Sequence, residues 1–396
     1  MSKPIHASTF MIFVLLGCSS VRPNVTHAPA TSTAGESSAR SAQVEASEGE
    51  SLEAQVEMFQ PILAQPSYTH CNDEVLGPVE GHRSPYPAAT PPRCSVNRHG
   101  QTERLDGVEM THHFVDAGGM TFHFVTAGNR DNPAVLLVHG LPESWYGFHH
   151  QVAALSDDYY VIAIDMPGYG QSDKRLELDH SFSGHARYVG ALLDTLGVTD
   201  FFLATHDRGS VLGENLIGTV PGMQQRVQRW VRMQQSANEP HGYPRPPHAL
   251  FADPEYGPRV LKADGVLAVS YDANANPPYI ARDLSEEHMA RLKFEWHYEG
   301  IAEAVSANFQ TSNFDIEFER RMGDDGLVHR MTMPILFLQG EVDPGQKPEE
   351  YKNSAEVYPN DQNEVVILEG AGHFTASEQP AIVSAYIRTF FEGERL

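Results

Sequence analysis

Residues 201–210 read Phe-Phe-Leu-Ala-Thr-His-Asp-Arg-Gly-Ser. An apolar run ends in Thr205-His206, an acidic residue follows, and Arg208-Gly209-Ser210 opens a helical pattern. That order predicts a buried strand, a sharp turn and a helix, with Asp207 at the turn. A chain that reverses so tightly needs small residues around the exposed one, and Thr205, Gly209 and Ser210 supply them. The usual occupant of such a turn is Ser; here it is a carboxylate. A carboxylate nucleophile suits attack on a tetrahedral carbon and leaves an ester that water can cleave.

The flanks set the context. Ala134–Val138, Tyr160–Ile164, Phe201–Ala204 and Val227–Met233 are short apolar runs separated by stretches of helical spacing. Strands this apolar, alternating with helices, belong to a parallel sheet covered on both faces. Ahead of them, Met110–Asp116 and Met120–Thr126 alternate polar and apolar residues around Ala117-Gly118-Gly119, which predicts a hairpin. The rhythm breaks from about Glu239 to Arg330, where Pro-rich loops precede helical stretches over 285–298 and 301–321. It resumes with Ile335–Gln339 and Glu364–Leu368, and a closing helix follows. The fold class is therefore α/β, with a helical insertion after the fourth apolar strand.

In an open parallel sheet, reactive groups gather at the carboxyl ends of the strands. Asp207, Asp343 and His373 each follow a strand, so all three are expected on one edge. Each also has a plainer reading. Asp207 could cap the helix behind it, and Asp343 could serve the turn before Pro344 while Glu341 takes its place. His373 could simply pack, as many of the 20 histidines must. His139 and Asp165 read as loop-fixing residues.

Several stretches together carry a family resemblance. His139-Gly140-Leu141-Pro142-Glu143-Ser144-Trp145-Tyr146 is similar to the HGxPESW stretch of epoxide hydrolases. Asp165–Ser172 resembles a D-x-x-G-x-G-x-S loop, and Thr205–Ser210 fits a small-x-nucleophile-x-small turn. Nucleophile, acid and His follow in the chain order of α/β-hydrolases. From about Val108 onward the chain resembles the Asp-nucleophile branch of that superfamily, which holds epoxide hydrolases and haloalkane and haloacid dehalogenases. The resemblance implies an α/β-hydrolase fold, with a mostly parallel central sheet, helices on both faces and a helical cap. It implies that Asp207 attacks, that His373 activates water and that Asp343 orients His373. The backbone N–H groups of Leu141 and Arg208 would form the oxyanion hole.

The same resemblance points to a small hydrophobic substrate and to no cofactor or metal. Trp145, Tyr256 and Tyr298 are the expected pocket residues. Epoxide hydrolases protonate the departing oxygen with two cap tyrosines; where the second would follow Asn308-Phe309, this chain has Gln310. Arg208 stands where haloalkane dehalogenases carry Trp. Haloacid dehalogenases share Asp-Arg-Gly but add an Arg one turn later, where Val211 stands. Epoxide hydrolysis to a diol is the first expectation and dehalogenation the second. A non-catalytic, surface-tethered binding module is the third.

The N-terminus suggests an address. Lys3 precedes a seven-residue apolar run, Phe10–Leu16, too short to span a bilayer. Leu15-Leu16-Gly17-Cys18 resembles a bacterial lipoprotein signal, with Cys18 as the lipidated residue. The expected location is the bacterial cell envelope, lipid-anchored or periplasmic. Cys71 and Cys94 then remain as an even pair in an oxidising compartment, where a disulfide is expected. A net charge of −24 argues against nucleic acid or an anionic membrane as an electrostatic partner, so a membrane enters only through a lipid anchor. Nothing in the sequence sets an oligomeric state. The layout is a signal over 1–18, a disordered linker and irregular extension over 19–106, core over 107–237, cap over 238–330 and core again over 331–396.

Overall fold

In the computed structural model, nine strands among the described residues pair into one sheet. The structure describes residues 51–396 apart from 65–66, 68, 72–73, 75, 83, 236–247, 275–277, 313, 347 and 352–353. The signal-like leader, Cys18 and the linker to residue 50 lie outside the described residues.

The strands are β1 (Thr102–Leu105), β2 (Val108–Ala117), β3 (Met120–Ala127), β4 (Ala134–Val138), β5 (Tyr160–Ile164), β6 (Phe201–His206), β7 (Val227–Met233), β8 (Ile335–Gly340) and β9 (Glu364–Leu368). β1, β2, β3 and β5 pair antiparallel in turn, and β5, β4, β6, β7, β8 and β9 run parallel. Every residue of β5 and β8 is buried, as a sheet covered on both faces requires. The register sets the ends of β4, β6 and β7 side by side, with Val138 beside Thr205 and His206 beside Met233. That shared edge is where the loops carrying the reactive groups emerge.

Between β7 and β8 the described residues form helices and no strand. The helices are His248–Ala252, Tyr256–Lys262, Asp264–Ser270, Glu286–Trp296, Ile301–Thr311 and Phe314–Met322. The first three stand where the sequence reads as Pro-rich loop. Asp253 starts the second of them by accepting the N–H groups of Glu255 and Tyr256, both at 2.8 Å. The stretch over 301–321 is two helices rather than one. Ser312 turns extended, at φ −132° and ψ 96°. Its hydroxyl donates to the Asn308 carbonyl and accepts from Arg208, a side-chain bond that competes with the helical ladder.

The N-terminal extension is more ordered than its composition suggests. Leu52–Leu63 is a helix capped by Ser51, whose Oγ accepts the Ala54 N–H at 3.2 Å. Leu52, Val56, Phe59 and Leu63 repeat at helical spacing and pack against the apolar core. Gln55 reaches the cap by accepting the Leu250 N–H at 3.1 Å. Further along, Cys71 and Cys94 form a disulfide. Tyr86 meets Tyr160 of the core hydroxyl to hydroxyl at 2.5 Å, and Gln171 accepts the N–H groups of Val96 and Asn97. The extension thus runs as a strap across cap and core. Among the described residues, no helix is long and apolar enough to cross a membrane.

Candidate active site

Asp207 sits at the turn between β6 and the helix Arg208–Thr219, with φ 47° and ψ −121°. This left-handed backbone costs on the order of 1–3 kcal/mol, so neighbours must hold it. Its N–H donates to Met233 O at 3.0 Å, and its carbonyl accepts the Ser210 N–H at 2.8 Å. A Cβ on Gly209 would lie 2.4 Å from the carbonyls of Val138 and His139. One on Gly140 would lie 2.5 Å from the Asp207 Cβ. Small residues here let the turn after β6 nest against the loop after β4.

That nesting places a donor on the carboxylate. The Leu141 N–H donates to Asp207 Oδ1 at 3.0 Å. The other oxygen, Oδ2, faces His373 Nε2 at 3.7 Å. His373 Nδ1 lies 2.7 Å from Asp343 Oδ2. Asp343 is itself fixed, with Oδ1 accepting the N–H groups of Gly345 and Gln346 at 2.8 and 3.1 Å. Glu341, the other candidate acid, is exposed and accepts the Gly370 N–H at 3.0 Å instead. Burial disfavours a charged His373 ring. Asp343, by charge and hydrogen bond, then Asp207 and Glu143, outweigh it and push the ring up to about 9.

A second acid–histidine pair lies behind the first. His206 Nδ1 is 2.6 Å from Glu143 Oε2, and its Nε2 is 2.9 Å from the His373 carbonyl. Burial alone would raise the Glu143 carboxyl; the charge and hydrogen bond of His206 prevail and hold it below its usual range. This pair ties the loop after β4 to the loop after β9. The cap closes over both. Tyr279 accepts the His373 N–H at its carbonyl, at 2.6 Å, and sets its ring edge-on to the imidazole. Tyr271 stacks on Phe374 at 4.1 Å and points its hydroxyl at Glu143 Oε1, 3.4 Å away. Burial first, then Glu143, raises the Tyr271 hydroxyl well above its usual range, so it keeps its proton.

A parallel sheet of this order, bearing a strained turn after β6 with an acid and a His on the loops after β8 and β9, is a hydrolase layout. The family model described as alpha/beta hydrolase fold matches residues 133–380. This chain belongs to the α/β-hydrolase family. It is 25% identical over 346 residues to human epoxide hydrolase 4, covering 80% of this chain and 86% of that one. It is 28% identical over 333 residues to epoxide hydrolase A of Mycobacterium tuberculosis, covering 72% and 98%. Among solved structures, epoxide hydrolase VrEH1 from Vigna radiata superposes with a TM-score of 0.59 at 22% identity, covering 72% of this chain and 98% of that one. The last likeness is one of fold.

Within this α/β-hydrolase, the residues singled out in the sequence fall into two groups. Asp207, Asp343, His373 and Leu141 come together. Arg208 adjoins them and heads the helix, where its own N–H has no carbonyl four residues back to bond. Its side chain is spent elsewhere: it is 2% exposed and sandwiched by Phe309 and Phe182. Its guanidinium donates to Asn308 Oδ1 and Ser312 Oγ. The three expected pocket residues have other neighbours. Trp145 is fully buried against His112, with its backbone N–H on Asp165. Tyr256 lines a groove with Leu52, Val56 and Gln60 of the N-terminal helix. Tyr298 is buried between His70 and Phe294. Gln310 turns back onto its own helix, donating to Ser306 at 3.3 Å.

His139 and Asp165 fix loops. His139 Nε2 accepts the Met166 N–H at 3.1 Å, and Asp165 accepts those of Trp145 and Gln171. Sequence reasoning missed Glu143, His206, Tyr271 and Tyr279 as parts of the site. The first two lay within quoted motifs. The tyrosines are two of several in the cap sequence, with no periodic signal to select them.

Proposed function

We propose that this α/β-hydrolase opens small hydrophobic epoxides to diols through a covalent ester on Asp207. The observation that supports it most is the division of labour on one carboxylate: Oδ1 rests on the Leu141 N–H, while Oδ2 faces His373, backed by Asp343. Oδ2 attacks an epoxide carbon and the C–O bond breaks. The departing oxygen takes a proton from Tyr271, the cap hydroxyl that reaches Glu143 at the site. Esterification removes the Asp207 charge, one of those that hold the proton on His373. The ring sheds that proton through water to the Tyr271 phenolate and becomes a base. It then takes a proton from a second water, whose oxygen attacks Cγ. The Leu141 N–H bears the oxyanion. The tetrahedral adduct expels the second diol oxygen, which takes the acid proton, and the carboxylate returns.

The test is mass spectrometry of His373→Gln mixed with styrene oxide. We expect a stable adduct equal to protein plus epoxide, absent in the Asp207→Ala double variant. Diol formation that survives Asp207→Ala would overturn the reading. Halide release from haloacetates without diol formation would move the chemistry to the dehalogenase reading, which Asp207-Arg208-Gly209 keeps in play. The neutral partners and rings already clamping Arg208 argue against a carboxylate-binding role for it. Binding without turnover of either class would favour the tethered binding module.

We also infer an envelope location with a lipid on Cys18. Palmitate labelling that vanishes in Cys18→Ala is the expected result, and labelling that persists would refute it. The disulfide Cys71–Cys94 supports an oxidising compartment.

A further inference from the structure

Away from the triad, three histidines converge where core and cap meet. His149 and His150 begin the helix His149–Leu155, just after the oxyanion loop, and His288 lies in the first turn of the cap helix Glu286–Trp296. One ring nitrogen from each lies within 4.8 Å of the others. The rings are stacked or tilted together, with centroids 3.8 Å apart for His149 and His150 and 5.3 Å for His149 and His288.

Two of the rings are already oriented. His149 Nδ1 donates to the Tyr146 carbonyl at 2.8 Å, leaving Nε2 with its lone pair. His150 Nδ1 lies 2.6 Å from Asp106 Oδ2. Asp106 stands in the turn between β1 and β2 with φ 48°. A carbonyl or carboxylate on the far nitrogen is what orients an imidazole that binds a metal. The third ring supplies the independent sign. His288 is 7% exposed, and its Nε2 has no hydrogen-bond partner among the described residues. A buried orphan of this kind carries a desolvation cost that a ligand would remove.

The surrounding charge permits a cation. Asp106 faces the rings, and Glu287 flanks His288 in the chain. The positive group nearby, Arg291, is held by Glu103 and Glu295.

We propose that His149, His150 and His288 bind one divalent transition-metal ion of the zinc class, with Asp106 orienting His150. Three imidazole nitrogens select such an ion over magnesium or calcium, which want oxygen. Nitrogens about 3.4 Å apart surround an ion at bond lengths of about 2.1 Å, so ring movements that shift each nitrogen by roughly an ångström complete the site. Two ligands come from the core and one from the cap, so the ion fastens the two together.

The test uses full-length, untagged protein stripped with chelator. Addition of Co²⁺ should produce visible ligand-field absorption that one equivalent of Zn²⁺ removes. Zn²⁺ should raise Tm, and His288→Gln should lose both effects while melting where stripped wild type melts. His150→Gln, at a half-buried position, is the second variant should His288→Gln fail to fold. Asp106→Asn should weaken binding by about 10–100-fold. Absence of stoichiometric zinc binding by wild type at micromolar metal would overturn the proposal. So would undiminished binding by either histidine variant.

Discussion

Core and cap meet over Asp207 and contribute in different ways. Each triad group leaves a loop that ends a core strand, so the sheet's register fixes its position. The cap supplies none of the three, yet it holds them. The Tyr279 carbonyl takes the His373 N–H, and Asn308 and Ser312 take the Arg208 guanidinium. The lesson is that chemistry here belongs to strand ends, while its setting belongs to helix packing.

The comparison can be broken by experiment. The largest expected effect is in the core: if Asp207 is the nucleophile proposed above, Asp207→Ala should lower turnover at least about 10⁴-fold. Diol assays check it, and a cap substitution of equal size would dissolve the contrast. Next comes the joint between the halves. Glu214 is buried between Arg232 of β7 and Arg321 of the cap helix Phe314–Met322. Burial works against its charge, but the two guanidinium groups hold its carboxyl below the usual range. Glu214→Gln removes the carboxylate that both guanidinium groups share and should cost about 3–5 kcal/mol in denaturant unfolding. Unchanged stability would mean that solvent reaches them.

Third, Tyr271→Phe should lower kcat about 10²–10³-fold, the reach of one proton donor. Tyr256→Phe and Tyr298→Phe should leave kcat intact. The reverse pattern would move the proton donor to the tyrosines expected in the pocket from sequence. The smallest effect is one of pH. His373 is held at about 9 in the fold against a free-ring value of 6.5. Its charged form therefore stabilises the fold fully below about pH 6.5, and that support is lost as pH rises through about 9. The stability gap between wild type and His373→Gln should shrink across that window. A gap that grows with pH would reverse the assigned sign.

The core half was legible because its residues sit in patterns with a backbone reason. A strained turn needs Gly209 and Ser210, and a strand needs an apolar run. Asp207, Asp343 and His373 could thus be named from their places after strands. The cap resists such reading. Tyr256 is expected in the pocket, yet the N-terminal helix lies against it. Tyr271 gains its place only through Phe374 and Glu143, more than a hundred residues away in one direction and the other. The helix Leu52–Leu63 was obscured by Pro61 and by its brevity, although Leu52, Val56 and Phe59 carry its period.

The strap has a further consequence, for the order in which the chain can assemble. Gln55 is made 195 residues before Leu250, which it grips, and His70 is made 224 residues before Phe294, whose carbonyl it meets at 2.7 Å. Cys71 and Cys94 are separated by only 23 residues and can join early. As the chain emerges from its N-terminus, the segment over 51–70 must therefore wait for nearly the whole cap before these contacts can form. The small disulfide loop needs only an oxidising compartment to close, whereas the strap can seat on the cap only once the cap is made, as a latch on a finished enzyme.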